Sequence, residues 1–328
     1  MNRRQFALAF AAAVALAQPA AAQQQRVVVY SAAPQNLVDV LIPLFEKSAG
    51  IKVDLVKAGS GELMNRLKAE AKAPAADVLL SVDGTVVEVQ PEIFEAYQAA
   101  GSNALAPGMK QSELWTPFTA VVMTLIVNNS KLKDNQPPKS WADLANPKFR
   151  DLISMARVDQ SGSAYIQLAT VLQAYPTREK GWEVYKGILS NSVLSNSSGS
   201  VPRLVNDGEF AVGVTLEDAA LRYKVAGKGI DIVYPSEGTV IAPDATALVK
   251  GGPNAKNGKA FIDFTLSKEA QEAVAKIGRR SVRADVAADP ALIPLAQVPL
   301  VKYDTKWADK SRKELVDAWK QMVLDVAR

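Results

Sequence analysis

The chain has no cysteine and no histidine in 328 residues. A Ser-His-Asp triad, a Cys-His dyad, an imidazole-ligated zinc site and a histidine general base are therefore excluded. An enzyme built from these residues would have to run on Asp, Glu, Lys, Ser or Tyr, so binding is the expected role and catalysis is not. No disulfide can form, and stability must come from core packing. No basic block stands out. The 38 Lys and Arg and 34 Asp and Glu are interspersed and leave a net charge of +4, which is no electrostatic footprint for nucleic acid. There is no internal repeat, and past the first residues no run is apolar enough to span a bilayer. No cofactor and no bound metal are expected.

The N-terminus reads as a targeting segment. Asn2-Arg3-Arg4 is a short basic region, Phe6 to Ala17 is apolar, and Gln18 to Ala22 supplies small residues for cleavage near Ala22. That is the pattern of a secretory signal peptide. Arg3-Arg4-Gln5-Phe6 also resembles a twin-arginine signal, so both export routes stay open. No cysteine follows to carry a lipid anchor, and a freely soluble periplasmic protein is expected. The remaining chain, about 306 residues, exceeds one average domain and suggests two lobes.

The body opens β-α-β. Val27 to Tyr30 is a short apolar strand, and Asn36 to Lys47 has helical spacing, with Pro43 expected to kink or split it. Gly50 closes that helix, and Ile51 to Val56 alternates like a strand. Ala76 to Ser81 reads as a third strand with Val82-Asp83-Gly84 as its turn. Ala120 to Val127 is apolar and long enough to cross between lobes, and 211–215 is a later strand. Trp307 onward reads as a C-terminal helix.

Several strands run into turns rich in small hydroxyl residues that open helices. The central one is Asp159-Gln160-Ser161-Gly162-Ser163, followed by the apolar run Ile166 to Leu172. A serine there can cap free N–H groups, and the glycine lets a ligand approach the backbone. Such a helix end suits a phosphate, phosphonate or carboxylate. Ser31 and Ser60-Gly61 stand at similar junctions, as does Ser200 with Pro202 in the first turn. In open α/β sheets, ligands bind at the carboxyl ends of the strands, where Ser31, Ser60 and Asp83 fall; Thr215 is a further ligand-binding candidate. Glu217 and Asp218 open a helix, where acids are also common simply because they favour the dipole. Glu237 lies in the turn Pro235 to Thr239.

These stretches together resemble the bacterial extracellular solute-binding proteins of ABC importers, in the branch holding ferric-iron, phosphonate and sugar-phosphate receptors. The matching segments include Val28-Val29-Tyr30-Ser31, Gly59-Ser60-Gly61-Glu62, Ala76-Asp77-Val78-Leu79, Ser140-Trp141-Ala142-Asp143-Leu144, Gly208 to Gly213 and Phe264 to Gln271. They run in family order through nearly the whole exported chain. The resemblance implies an α/β, two-lobed type II periplasmic-binding fold with two crossing hinge strands and a ligand cleft between the lobes. The expected division is 23–120 plus 240–280 for one lobe, 121–239 for the other, and 281–328 as C-terminal helices packed on them. It also implies a monomer that hands an anionic small solute to a membrane permease. Iron-binding members use two adjacent tyrosines after the strand that is here 211–215. This chain has Leu216-Glu217-Asp218 there, which favours a phosphorylated or phosphonate solute. In that reading Ser31, Ser60, Gly61, Ser161, Gly162 and Ser163 donate to the oxyanion without help from arginine. Glu217, Asp218 and Glu237 accept from the other end of the ligand. Three alternatives stay open: a carboxylate site for ferric iron or another hard cation using Glu217, Asp218, Glu237 and Asp83; another solute such as a polyamine or thiamine; and a carboxylate-based hydrolase using Glu217 and Glu237.

Overall fold

A computed structural model describes residues 25–109, 112–132, 135–227 and 229–326. The expected signal segment, 1–22, lies outside the described residues. The first elements are strand β1 (Arg26–Ser31), helix α1 (Gln35–Ala49), strand β2 (Lys52–Lys57), helix α2 (Ser60–Ala69), strand β3 (Val78–Asp83) and helix α3 (Gly84–Glu88). β1 pairs in parallel with β2, and on its other side with β3. A short strand β4 (Phe94–Glu95) precedes the long β5 (Thr116–Asn128). Next come α4 (Trp141–Leu144), β6 (Ile153–Ala156), α5 (Gly162–Gln173), α6 (Arg178–Ser190), β7 (Ser192–Ser195), α7 (Ser200–Asn206), β8 (Val212–Leu216) and α8 (Glu217–Lys224). The chain ends with β9 (Ile230–Val233), β10 (Ile241–Val249), α9 (Ala255–Thr265), α10 (Lys268–Ala275), β11 (Arg280–Ser281) and α11 (Thr305–Val326).

All strands join one sheet of order β2-β1-β3-β10-β5-β8-β6-β7, with β4 on β10 and β9 and β11 on β5. Every residue of β5 is buried, as its unbroken apolar run requires. Its first part pairs antiparallel with β10 and β11, its second with β8 and β9. One strand thus belongs to two sheet halves, and the residues between Tyr234 and Ile241 make the return crossing. The first half is covered on one face by α1, α9 and α10, where Phe45 meets Phe261 edge-on at 4.9 Å. Its other face packs α2 and α3 with Trp115. The second half buries Trp141, Tyr165 and Tyr185, and α11 adds Leu315 and Trp319 to that core. The architecture is the expected two-lobed α/β fold.

Three local details differ from expectation for physical reasons. Pro43 does not split α1, which runs through it as one helix to Gly50 in the left-handed region (φ 66°). Pro43 and Asp39 are exposed, so the carbonyl of Asp39 freed by the missing N–H faces water. Asp83 ends β3 rather than lying in a turn, and its carboxylate caps α3 by accepting from Thr85 N at 3.1 Å. Ser200 is the first residue of α7 rather than its cap, which is Gly199. One feature had no sequence signal: Ser81 adopts φ 61° inside β3, beside a register shift between Ala245 and Thr246 of β10. Such a bulge re-aims a side chain, and the Ser81 hydroxyl donates a short hydrogen bond to Asp244.

Candidate functional site

The hydroxyl-rich junctions of the two halves meet. Gly59 caps α2 and Gly61 lies in its first turn; a Cβ would stand 2.8 Å from the Gln160 carbonyl oxygen at Gly59 and 2.7 Å from that of Asp159 at Gly61. Across the gap, a Cβ on Gly162 would stand 3.1 Å from the Asp83 Cβ and 3.3 Å from the Ser60 Oγ. These glycines are needed because any side chain would hold the two helix ends apart. The first intrahelical bond of α2 is made by Leu63 to Gly59, and that of α5 by Tyr165 to Ser161. The N–H groups of Ser60, Gly61 and Glu62, and of Gly162 and Ser163, all precede those bonds. Two helix N-termini thus converge with their donors and positive dipole ends.

The serines do not all have the same task. Ser161 Oγ accepts from Ala164 N at 3.3 Å and shares a hydrogen bond of 2.9 Å with Ser163 Oγ, so Ser161 is a cap and one proton of the serine pair stays free to donate. Ser31 is fully buried at the end of β1, and its Oγ accepts from Ala33 N. Asp83 is held by Arg312, with Nη1 donating at 2.7 Å, and the Arg312 guanidinium lies over the Tyr165 ring at 4.1 Å. Thr215 is buried in β8 beside Thr124 of β5.

The acids depart most from expectation. Glu217 is buried and takes two hydrogen bonds from Arg280, at 2.6 and 2.8 Å, and one from the Tyr234 hydroxyl. Asp218 is buried 3.3 Å from Arg279. Neither is a free acceptor, because a buried carboxylate needs its own counter-charge. Glu237 leaves the site: it accepts from the N–H groups of Trp141 and Ala142, both at 3.0 Å, and from the Tyr175 hydroxyl at 2.6 Å. Its role is to cap α4. Among the described residues no group of three or more acids is placed to hold a metal ion. The cation site from Glu217, Asp218, Glu237 and Asp83 and the hydrolase pair Glu217–Glu237 therefore lose their geometry.

Two buried arginines stand beside these acids. Arg279 is 2 % exposed, and its Nε and Nη1 make no hydrogen bond within the protein. Asp244, also buried, feels Arg279, Asp218 and Asp83; burial pushes its carboxyl up to about 6 against the pull of Arg279. Arg279, Arg280, Ser81, Asp244 and Arg312 were missed by the sequence reading. The signal available was a pair of adjacent arginines and a lone aspartate inside otherwise apolar segments, Ile277 to Val282 and Ile241 to Val249.

Comparison with known proteins gives the family and the fold. The "Putative 2-aminoethylphosphonate-binding periplasmic protein" of Salmonella typhimurium is 28% identical over 249 residues, 74% of this chain and 73% of that one. The Fe(3+)-binding periplasmic protein of Serratia marcescens is 25% identical over 323 residues, 94% of each. The periplasmic binding protein AfuA of Actinobacillus pleuropneumoniae, solved with fructose-6-phosphate, superposes with a TM-score of 0.86 at 25% identity, covering 92% of this chain and 99% of that one. The family model described as bacterial extracellular solute-binding protein matches residues 73–306. With its two sheet halves meeting at paired helix ends, the chain belongs to the bacterial extracellular solute-binding protein family.

Proposed function

We propose that this protein is the periplasmic receptor of an ABC importer and captures a small organic phosphate or phosphonate between its lobes. The observation that carries the reading is the meeting of the α2 and α5 N-termini through Gly59, Gly61 and Gly162. Five backbone donors and the one free proton of the Ser161–Ser163 pair lie at these two helix ends, and an oxyanion is the group such an arrangement suits. Arg279 and Asp244 offer a donor and an acceptor for the organic part. The Salmonella relative named for 2-aminoethylphosphonate and the fructose-6-phosphate complex of AfuA support the same class of solute. The ferric-iron name of the Serratia relative supports the alternative, but the arginines on Glu217 and Asp218 weigh against it. The lobes are taken as 23–120 with 240–280 and 121–239, and export by the segment before Gln23 completes the reading. No helix among the described residues is long and apolar enough to cross a membrane. Binding without turnover is proposed, with the solute handed unchanged to a permease by a monomer.

The test is a thermal-shift panel of hexose phosphates, glycerol phosphate, 2-aminoethylphosphonate, inorganic phosphate, ferric citrate, a polyamine and thiamine. A true ligand at about a hundred times its Kd adds about 2.7 kcal/mol of stability. The double variant Ser161→Ala/Ser163→Ala should fold, losing about 1 kcal/mol from the missing cap, and should bind the phosphorylated ligand at least tenfold more weakly. Unchanged affinity in that variant, or a shift with ferric citrate alone, refutes the oxyanion reading.

A further inference from the structure

Three ion pairs among the described residues join the two sheet halves: Arg279–Asp218, Arg280–Glu217 and Arg312–Asp83. The third differs from the others. Arg312 is carried by the second half, where α11 is anchored through Leu315 and Trp319. The Tyr165 hydroxyl donates to the Ala308 carbonyl of α11, and the Arg312 guanidinium lies over the Tyr165 ring at 4.1 Å. No described residue of α11 belongs to the two apolar cores of the first half. Yet Arg312 Nη1 donates to Asp83 at 2.7 Å and to the Thr85 hydroxyl, both in the first half. Beside them, Glu88 and Trp115 of the first half and Lys306 and Asp309 of α11 line a cavity of about 230 Å³. Charge rather than apolar packing ties α11 to the first half there. We propose that Arg312 is a closure latch: it holds the two halves together over the solute and sets how long the solute stays, without touching it.

Three observations distinguish a latch from a static brace. First, Asp83 is satisfied within its own half, since its carboxylate accepts from the Thr85 N–H at 3.1 Å and from the Thr85 hydroxyl. The pair can part without leaving Asp83 bare. Second, the pair stands where the helix ends meet, because a Cβ on Gly162 would lie 3.1 Å from the Asp83 Cβ. Closing that gap and closing the ion pair are one motion. Third, the pair has leverage. Arg280 registers with Ala120 and Leu216 with Met123 of β5, so the other two pairs sit at the pivot, where a hinge rotation displaces groups least. Asp83 lies opposite Asp244, which lies opposite Thr119 of β5. That is two strand spacings from β5, about 10 Å. A charge-assisted bond at that distance favours the closed arrangement and shifts its population. The proposal rests on the solute being held between the halves, so its test is made first with no solute present.

The lack of cysteine allows two spin labels to be placed cleanly. Lys57→Cys, at the end of β2, and Ser197→Cys, just past β7, replace exposed residues at opposite ends of the sheet. Double electron–electron resonance then reads the distance between the halves in the full exported chain, in buffer and again with inorganic phosphate. In buffer the labelled parent should hold a short-distance population that Arg312→Met reduces at least threefold. Arg312→Lys should be intermediate. Asp83→Asn, which keeps a capping side chain, should match Arg312→Met, and the double variant should be no more open than either. Lys313→Met, an exposed neighbour on α11, should match the parent. Phosphate should restore less of the short-distance population in Arg312→Met than in the parent. Equal distances in buffer for the parent and Arg312→Met overturn the proposal, even if the variant melts lower, because a static brace would change stability alone. A double variant whose opening is the sum of the two single effects overturns it as well. If Arg312→Met fails to fold, Asp83→Asn against the parent decides in the same way. Phosphate that moves neither protein counts against the oxyanion reading, and the buffer distances still judge the latch.

Discussion

Asp244 offers a quantitative check on the electrostatics of the cleft. It lies on β10 opposite Asp83, is buried, and accepts from Ser81. Burial lifts its carboxyl from 3.8 to about 6; Arg279 and the Ser81 hydrogen bond oppose the lift, while Asp218 and Asp83 add to it. A raised carboxyl means that the folded protein holds this proton more tightly than the unfolded chain does. Between about pH 4 and 6 the folded state then carries more protons, so stability falls as pH rises, and above that the loss is complete. At about 1.4 kcal/mol per tenfold change, the whole effect is about 3 kcal/mol. Asp244→Asn keeps the shape and an acceptor for Ser81 but cannot titrate. Unfolding free energies of both proteins, measured with urea from pH 3.5 to 7.5, would be subtracted so that titrations common to both cancel. The variant should gain about 3 kcal/mol on the wild type across that range. A difference that stays flat to within about 0.5 kcal/mol would show that Asp244 is already compensated, and the account of the Arg279 cluster would fall.

Gly162→Ala should cost about 1–3 kcal/mol, because the new methyl meets the Asp83 Cβ at 3.1 Å and the Ser60 Oγ at 3.3 Å. It should also weaken solute binding; calorimetry showing wild-type affinity would mean the two helix ends need not meet. Arg280→Met leaves Glu217 buried with only Tyr234 as partner, and denaturation should reveal a loss of about 3–5 kcal/mol. A loss under about 1 kcal/mol would show that water reaches this pair. Glu237→Gln should cost about 1–2 kcal/mol by weakening the cap on Trp141 and Ala142. Its solute affinity should be unchanged, and a tenfold loss would return Glu237 to the cleft.

The fold was largely legible in sequence because it rests on periodicity. Parallel strands buried on both faces read as apolar runs such as Val27 to Tyr30, and the helix ends carried Ser, Gly and Thr where caps require them. The helix ends proposed to hold the anion were legible for the same reason, since a cap and a phosphate donor use the same residues. The other end was not. Glu217 and Asp218 look identical in sequence whether they face a ligand or an arginine, and their partners stand more than sixty residues away. Glu237 misled because a turn acid can cap a helix nearly a hundred positions earlier as readily as it can line a cleft. The bulge at Ser81 depends on how β3 registers with β10, and no local preference announces it.

The place of β10 in the sheet also constrains how the molecule comes to be folded. This strand lies between β3 and β5, and its Asp244 bonds to Ser81, 163 positions earlier. Until residues 241–249 are available, β3 and β5 have no strand between them and expose unpaired edges. Such edges are templates for pairing with other chains, and closing so long a loop before any contact rewards it is slow. The N-terminal lobe is therefore expected to be an unfinished, association-prone intermediate for most of synthesis. Any factor that keeps the chain extended until its last third is available would raise the yield of folded protein.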